Sequence, residues 1–124
     1  MAMQLLLTLD LTFRKGIIHR DIKPSNVLLS NISDLEVKLA DFGLSIYSHD
    51  KSSLNMRCGS PGFIAPEILK KDPYGVKSDV FSLGCLLFYV LTGKSLFRGK
   101  NVKEVLLQNQ FSDPSETLLD YAPS

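Results

Sequence analysis

His19-Arg20-Asp21-Ile22-Lys23-Pro24-Ser25-Asn26, followed by Asp41-Phe42-Gly43 and then by Ala65-Pro66-Glu67, is the stretch that decides the fold. Upstream of it, Leu5, Leu6, Leu9 and Phe13 recur at helical spacing. Arg14 and Lys15 stand where a helix C-terminus favours cations, and Gly16 suits the cap. The chain therefore opens in a helix, and Ile17 and Ile18 lead from it into the charged loop. Downstream, Val27-Leu28-Leu29 and Glu36-Val37-Lys38-Leu39-Ala40 read as two short strands around the polar linker Ser30 to Asp34. Joined this way they form an antiparallel hairpin, so Asn26 before the first strand and Asp41 after the second emerge at one end. Two oxygen ligands then converge.

From Leu44 to Gly62 the sequence is polar, without sustained periodicity, and reads as a long loop of a length that is uncommon unless functional. Glu67 to Lys71 suggests a short helix and Asp72-Pro73-Tyr74-Gly75 a turn. Ser78 suits an N-cap and Asp79 the first turn of a helix. The apolar residues Val80, Phe81, Leu83, Leu86, Leu87, Val90 and Leu91 surround that helix on nearly every side, which predicts a central position; Gly93 ends it. Asn101 to Gln108 reads as another helix with Val102, Val105 and Leu106 on one face. After Gln110 the signal fades, which divides the chain into a folded part, 1–110, and a poorly defined, truncated tail, 111–124.

The 124 residues suffice for one small domain, and 44% apolar content is enough for a core. Fourteen basic and 13 acidic residues leave a formal charge of +1, which makes no case for nucleic acid or an anionic membrane surface as partner. Cys58 and Cys85 lie in segments of different character, so a disulfide framework is not expected; free thiols suit a reducing, intracellular and cytoplasmic setting. Met1 to Leu7 carries no basic n-region or small-residue cleavage site, and Val80 to Leu91 falls short of the roughly 20 residues of a membrane span. A soluble, partly globular protein is expected.

In order and spacing, these motifs resemble the catalytic loop, metal-binding turn and activation-segment anchor of the eukaryotic protein kinases. Taken singly they are bland: Asp21 beside Arg20 is a surface ion pair, Asp-Phe-Gly a turn, Asn26 a cap. Together they are not, because independent structural needs would not set these residue types in that order. The resemblance implies a mainly α fold, the core of the C-terminal lobe of an α+β parent, with the hairpin at the nucleotide cleft. It implies ATP and Mg2+ as cofactors and a protein with a Ser or Thr acceptor as substrate. Asp21 would be the catalytic base, and Lys23 would reach the γ-phosphate. Asn26 and Asp41 would hold magnesium, and Leu28 would lie among the nucleotide-binding residues. Ser60 matches the hydroxyl residue that bonds the catalytic Asp and Lys in serine/threonine kinases. His19 packs in that family against the Phe of the turn, here Phe42, which Gly43 follows. Asp79 resembles the aspartate that holds the catalytic-loop backbone, with helix capping as its plainer role. Glu67 is expected to pair with an arginine further along the family's sequence, beyond these residues.

Arg20 in the family meets a phosphate on the activation loop. Counting back from Cys58, the usual position falls on Met56, which cannot accept one, so Ser52 and Ser53 become the candidates, with plain loop solvation as their other role. The Asp-Ile-Lys-Pro-Ser-Asn and Cys58-Gly59-Ser60-Pro61-Gly62-Phe63 stretches resemble the serine/threonine type, the second most like calcium/calmodulin-dependent-type kinases. Thr12 and Phe13 replace a usual Leu-His pair, which implies altered packing. Little precedes the catalytic loop, whereas the family places there a lobe with a Gly-rich loop, a strand lysine and a helix glutamate. A partial kinase domain lacking its N-terminal lobe is therefore expected, inactive by itself. The alternatives are a non-catalytic, pseudokinase-like binding module and a small-molecule phosphotransferase.

Overall fold

The computed structural model describes residues 1–121. Five helices, α1 Ala2–Arg14, α2 Pro66–Leu69, α3 Lys77–Thr92, α4 Val102–Phe111 and α5 Pro114–Leu119, accompany four short strands, β1 Ile17–Ile18, β2 Val27–Asn31, β3 Glu36–Leu39 and β4 Ile46–Tyr47. The strands form two antiparallel two-stranded sheets, β1 with β4 and β2 with β3. The fold is thus helical with a small β component, as the sequence implies.

Helix α1 buries Leu5 and Leu9 along one stripe and leaves Leu6, Leu7 and Leu11 exposed. Gly16 follows it at φ +67, a left-handed value that a side chain would resist, and its N–H closes the last turn on the Phe13 carbonyl. The first residues of α1 also brace the hairpin: Gln4 Oε1 accepts from the Val37 N–H at 2.8 Å and Nε2 donates to the Leu35 carbonyl at 3.2 Å. One side chain thereby supplies what a third strand would have supplied.

Hairpin β2–β3 pairs Val27 with Leu39, Leu28 with Lys38 and Leu29 with Val37, then shifts register between Leu29 and Asn31. The first strand runs two residues into the expected linker, where Asn31 Oδ1 turns the chain by accepting from the Ser33 N–H at 2.9 Å. Beneath the hairpin, Leu5, Leu9, Ile22, Val37, Leu83 and Leu86 form one buried cluster. Ile64, Ala65, Ile68, Leu69 and Tyr74 form a second, against which Phe81 packs. Leu83 and Leu86 on one side and Phe81 on the other make α3 the element common to both clusters. Each fully buried leucine, isoleucine or valine among them contributes about 1.5–3 kcal/mol.

Four expectations need correction. Ser78 does not cap α3, which starts a residue earlier; its buried hydroxyl instead donates to the Gly75 carbonyl at 2.7 Å. Helix α3 is not enclosed on every side, because Val80, Val90 and Leu91 are exposed while Ser82, Leu83, Cys85, Leu86 and Phe88 are buried. The long loop contains β4, invisible to local periodicity because its partner β1 lies far away in sequence. Beyond Gln110, α4 continues to Phe111 and α5 follows, started by Asp113, whose side chain accepts from the Ser115 N–H at 2.9 Å. No residue of α5 is buried, so it has no apolar stripe to betray it. Residues 122–124 of the expected tail lie outside the described residues.

Both thiols are free. Among the described residues, no helix is long and apolar enough to cross a membrane. Burial in α3 pushes the Cys85 thiol up to about 12, and Cys58 is only partly covered. A thiol-specific reagent at pH 8 is therefore expected to label Cys58 in the folded protein and Cys85 only after denaturation, with mass spectrometry reading the sites. Equal labelling of both would refute the buried placement of Cys85.

Candidate active site

The charged loop between β1 and β2 has little regular structure of its own, so its backbone must be held from outside. Asp79, in the first turn of α3 and 1% exposed, does this: its carboxylate accepts from the His19 N–H at 2.7 Å and the Arg20 N–H at 3.0 Å. Burial raises its pKa above the ordinary 3.8, and the two amide hydrogen bonds oppose that rise. Arg20 sits at φ +71 and Asp41 at φ +55, left-handed values uncommon outside glycine and held against a local cost of about 1–3 kcal/mol.

His19 is fully buried. Its Nδ1 accepts from the Asp21 N–H at 3.1 Å, which assigns the donor role to Nε2, 2.9 Å from the Ala40 carbonyl. The ring meets Phe42 edge-on, with centroids 4.7 Å apart. His19 thus joins the loop to the turn after β3.

Asp21 is a hub. Ser60 Oγ donates to its Oδ1 at 2.8 Å, and Lys23 Nζ stands 3.6 Å from its Oδ2. Asn26 Nδ2 donates to the Asp21 carbonyl at 2.7 Å and to Oδ2 at 3.3 Å. The Ala40 N–H donates to the Asn26 carbonyl at 2.8 Å, closing the open end of the hairpin and setting Asn26 and Asp41 on the same side. With Nδ2 spent on Asp21, the Oδ1 of Asn26 receives no protein donor among the described residues. Among the described residues, Asp41 shares only Oδ1, with the Gly43 N–H at 3.1 Å. An amide oxygen and a carboxylate suit a hard cation that takes few protein ligands and completes its shell with water and phosphate, as magnesium does. Leu28, on β2, is 53% exposed.

Arg20 is 8% exposed and finds neutral partners: Nε donates to the Leu44 carbonyl at 2.6 Å, and Nη1 to the Ser53 carbonyl and Tyr74 Oη, both at 3.1 Å. No carboxylate pairs with it among the described residues. Tyr74 passes the contact on, donating to the Met56 carbonyl at 3.1 Å. Ser52 and Ser53 donate their hydroxyls to Asp50 at 2.8 and 2.7 Å, bonds that lower its pKa, Ser53 contributing most. Glu67 lies partly buried in the first turn of α2, without an ion-pair partner among the described residues. Tyr74 and Asn109 were not singled out from the sequence. A tyrosine in a turn and an asparagine late in a helix carry no local mark of their distant partners.

A family model described as the protein kinase domain matches residues 1–119. The chain is 48% identical over 107 residues to probable serine/threonine-protein kinase 2 of Plasmodium falciparum, covering 86% of this chain and 21% of that protein. It is 40% identical over 120 residues to probable serine/threonine-protein kinase KCC4 of Saccharomyces cerevisiae, covering 92% of this chain and 11% of that protein. With human serine/threonine-protein kinase ULK1 it shares 37% over 116 residues, covering 88% and 11%. The chain thus spans about a fifth or less of the length of these relatives.

Replacing Asp79 by Ala leaves the His19 and Arg20 amides unpaired, with an expected loss of about 2–4 kcal/mol in urea unfolding. Because its folded pKa is raised, the folded carboxyl binds a proton where the unfolded one has lost it. The stability of wild type relative to Asp79→Asn should therefore fall as pH rises from about 3.8 through the raised value and level off above it. A pH series of unfolding curves with parallel profiles would contradict this.

Proposed function

The chain belongs to the protein kinase family, and we propose that the protein carrying it transfers the γ-phosphate of ATP to serine or threonine hydroxyls of other proteins. The hub at Asp21 carries this reading: one carboxylate held by Ser60, Asn26 and Lys23, beside two oxygen ligands delivered by a hairpin. ATP supplies the phosphoryl group, and magnesium neutralises its charge. Asn26 and Asp41 would hold the metal. Asp21 orients the acceptor hydroxyl and takes its proton as that oxygen replaces ADP on the γ-phosphorus, the bond to the bridging oxygen breaking as the new one forms. Lys23 offsets negative charge on the transferring group. Ser60 fixes the rotamer of Asp21, and the exposed Leu28 offers an apolar surface to the base of the nucleotide.

Arg20 would answer a phosphate on Ser52 or Ser53, since its Nη1 already meets the carbonyl of Ser53. Glu67 would keep its charge for an arginine outside these residues. The likeness to calcium/calmodulin-dependent-type kinases rests on Cys58 to Phe63 alone. The family's Gly-rich loop, strand lysine and helix glutamate do not occur in the 124 residues. In our proposal the same polypeptide supplies them elsewhere, because an uncovered triphosphate is poorly aligned and misalignment costs large factors in rate.

In a phosphotransfer assay the isolated 124-residue protein is expected to be close to inactive; robust activity absent from Asp21→Asn would overturn that. In the full-length protein Asp21→Asn should lower kcat by about 10²–10⁴-fold, and an undiminished rate would remove Asp21 as the base. Transfer only to small alcohols, or none, would favour the phosphotransferase or the binding module instead. Phosphopeptide mapping of the active protein should find phosphate on Ser52 or Ser53; both unmodified would sink the regulatory assignment.

A further inference from the structure

Between Ser60 and α2 the chain passes through Gly62, Phe63 and Ile64 without helix or strand, yet side chains of two helices take up its backbone groups. Asn109 of α4, with no exposure, accepts from the Gly62 N–H at 3.0 Å and the Ile64 N–H at 3.2 Å, and donates Nδ2 to the Ile64 carbonyl at 2.6 Å. Ser82 of α3 donates to the Phe63 carbonyl at 2.6 Å, and the Phe63 N–H turns back to the Ser60 carbonyl at 3.0 Å. Gly62 lies at φ +91, and an added Cβ would stand 3.6 Å from Val105 Cγ1. A buried carboxamide is costly unless satisfied, and a leucine would fill an apolar space as well. What the amide adds is the placement of this backbone.

The placement bears on the reaction, because Ser60, two residues before Gly62, holds Asp21. Pro61 is exposed and Phe63 only partly buried, so the outer side of the segment is open to polypeptide leading away from an acceptor residue at Asp21. We propose that Asn109 is a positioning residue for the protein substrate: it sets the Gly62–Ile64 backbone against which the acceptor peptide is registered to Asp21. The inference rests on the kinase reading of the site.

Full-length protein with Asn109→Ala, Asn109→Asp or Ser82→Ala decides it, through kcat, KM for a serine peptide, KM for ATP and the thermal midpoint. Asn109→Ala should raise the peptide KM about tenfold with the ATP KM unchanged, because Asn26 and Asp41 stand on the hairpin. Ser82→Ala removes one contact, so it should give a smaller rise and serve if the first variant does not fold; Asn109→Asp keeps the two acceptor bonds but turns an oxygen toward the Ile64 carbonyl in place of the donated N–H, so it should raise the peptide KM at least as much as Asn109→Ala. Unchanged peptide KM in the folded variants, with only a lower midpoint, overturns the proposal and leaves Asn109 a stabiliser. A wild-type protein that phosphorylates no peptide overturns the kinase reading, and this inference with it.

Discussion

The bond from the Asp79 carboxylate to two consecutive backbone amides is the constraint on which the rest of the site depends. A loop carrying a carboxylate, a cation and a carboxamide cannot hold itself, because its polar groups prefer water to one another. Asp79 solves this from the first turn of α3, the helix that joins both apolar clusters. Burial of Leu83 and Leu86 on one side and packing of Phe81 on the other keep that helix still, and the carboxylate carries its rigidity into the loop. The raised pKa of Asp79 records the desolvation that this role entails.

Of the four non-glycine residues with positive φ among the described residues, Leu35 and Lys71 lie in turns elsewhere, and Arg20 and Asp41 lie in the candidate site. Arg20 and Asp41 both adopt left-handed backbone, and each is over-determined by its surroundings. The amide of Arg20 is held by Asp79 and its guanidinium by Leu44, Ser53 and Tyr74. Asp41 follows an alanine whose N–H bonds the Asn26 carbonyl and whose carbonyl lies against His19. His19 and Phe42 complete the link edge to face. The charged groups are thus arranged before any ligand arrives, the condition under which electrostatic stabilisation costs no reorganisation during a reaction.

The long loop from Leu44 to Ile64 is held by the same logic with different donors. β4 leans on β1, Tyr74 ties Arg20 to Met56, Ser60 bonds Asp21, and Asn109 and Ser82 take the backbone of Gly62 to Ile64. Beyond β4 such a segment can respond to a change in one tether, because each tether there is a single side chain and not a ladder of backbone bonds.

Local pattern already contained helix α1, the hairpin with Asn26 and Asp41 at its open end, and the motif order that marks the family, since each depends on residues near in sequence and on spacing that a helix or strand imposes. Leu5 and Leu9 announce a stripe; Val27 to Leu29 and Glu36 to Ala40 announce a hairpin. Helix α5 has no buried residue and so leaves no local mark, and Ser78 reads as a cap because its burial depends on residues distant in sequence. The resemblance already implies that Asp79 holds the loop backbone; the tertiary structure alone decided that it does so through the amides of His19 and Arg20, some sixty residues back, that the Arg20 guanidinium is held without a carboxylate among the described residues, and that Asn109 serves as backbone partner to a distant loop. These contacts join groups whose local sequences are ordinary, and only the burial of both partners in one place makes the bond between them necessary.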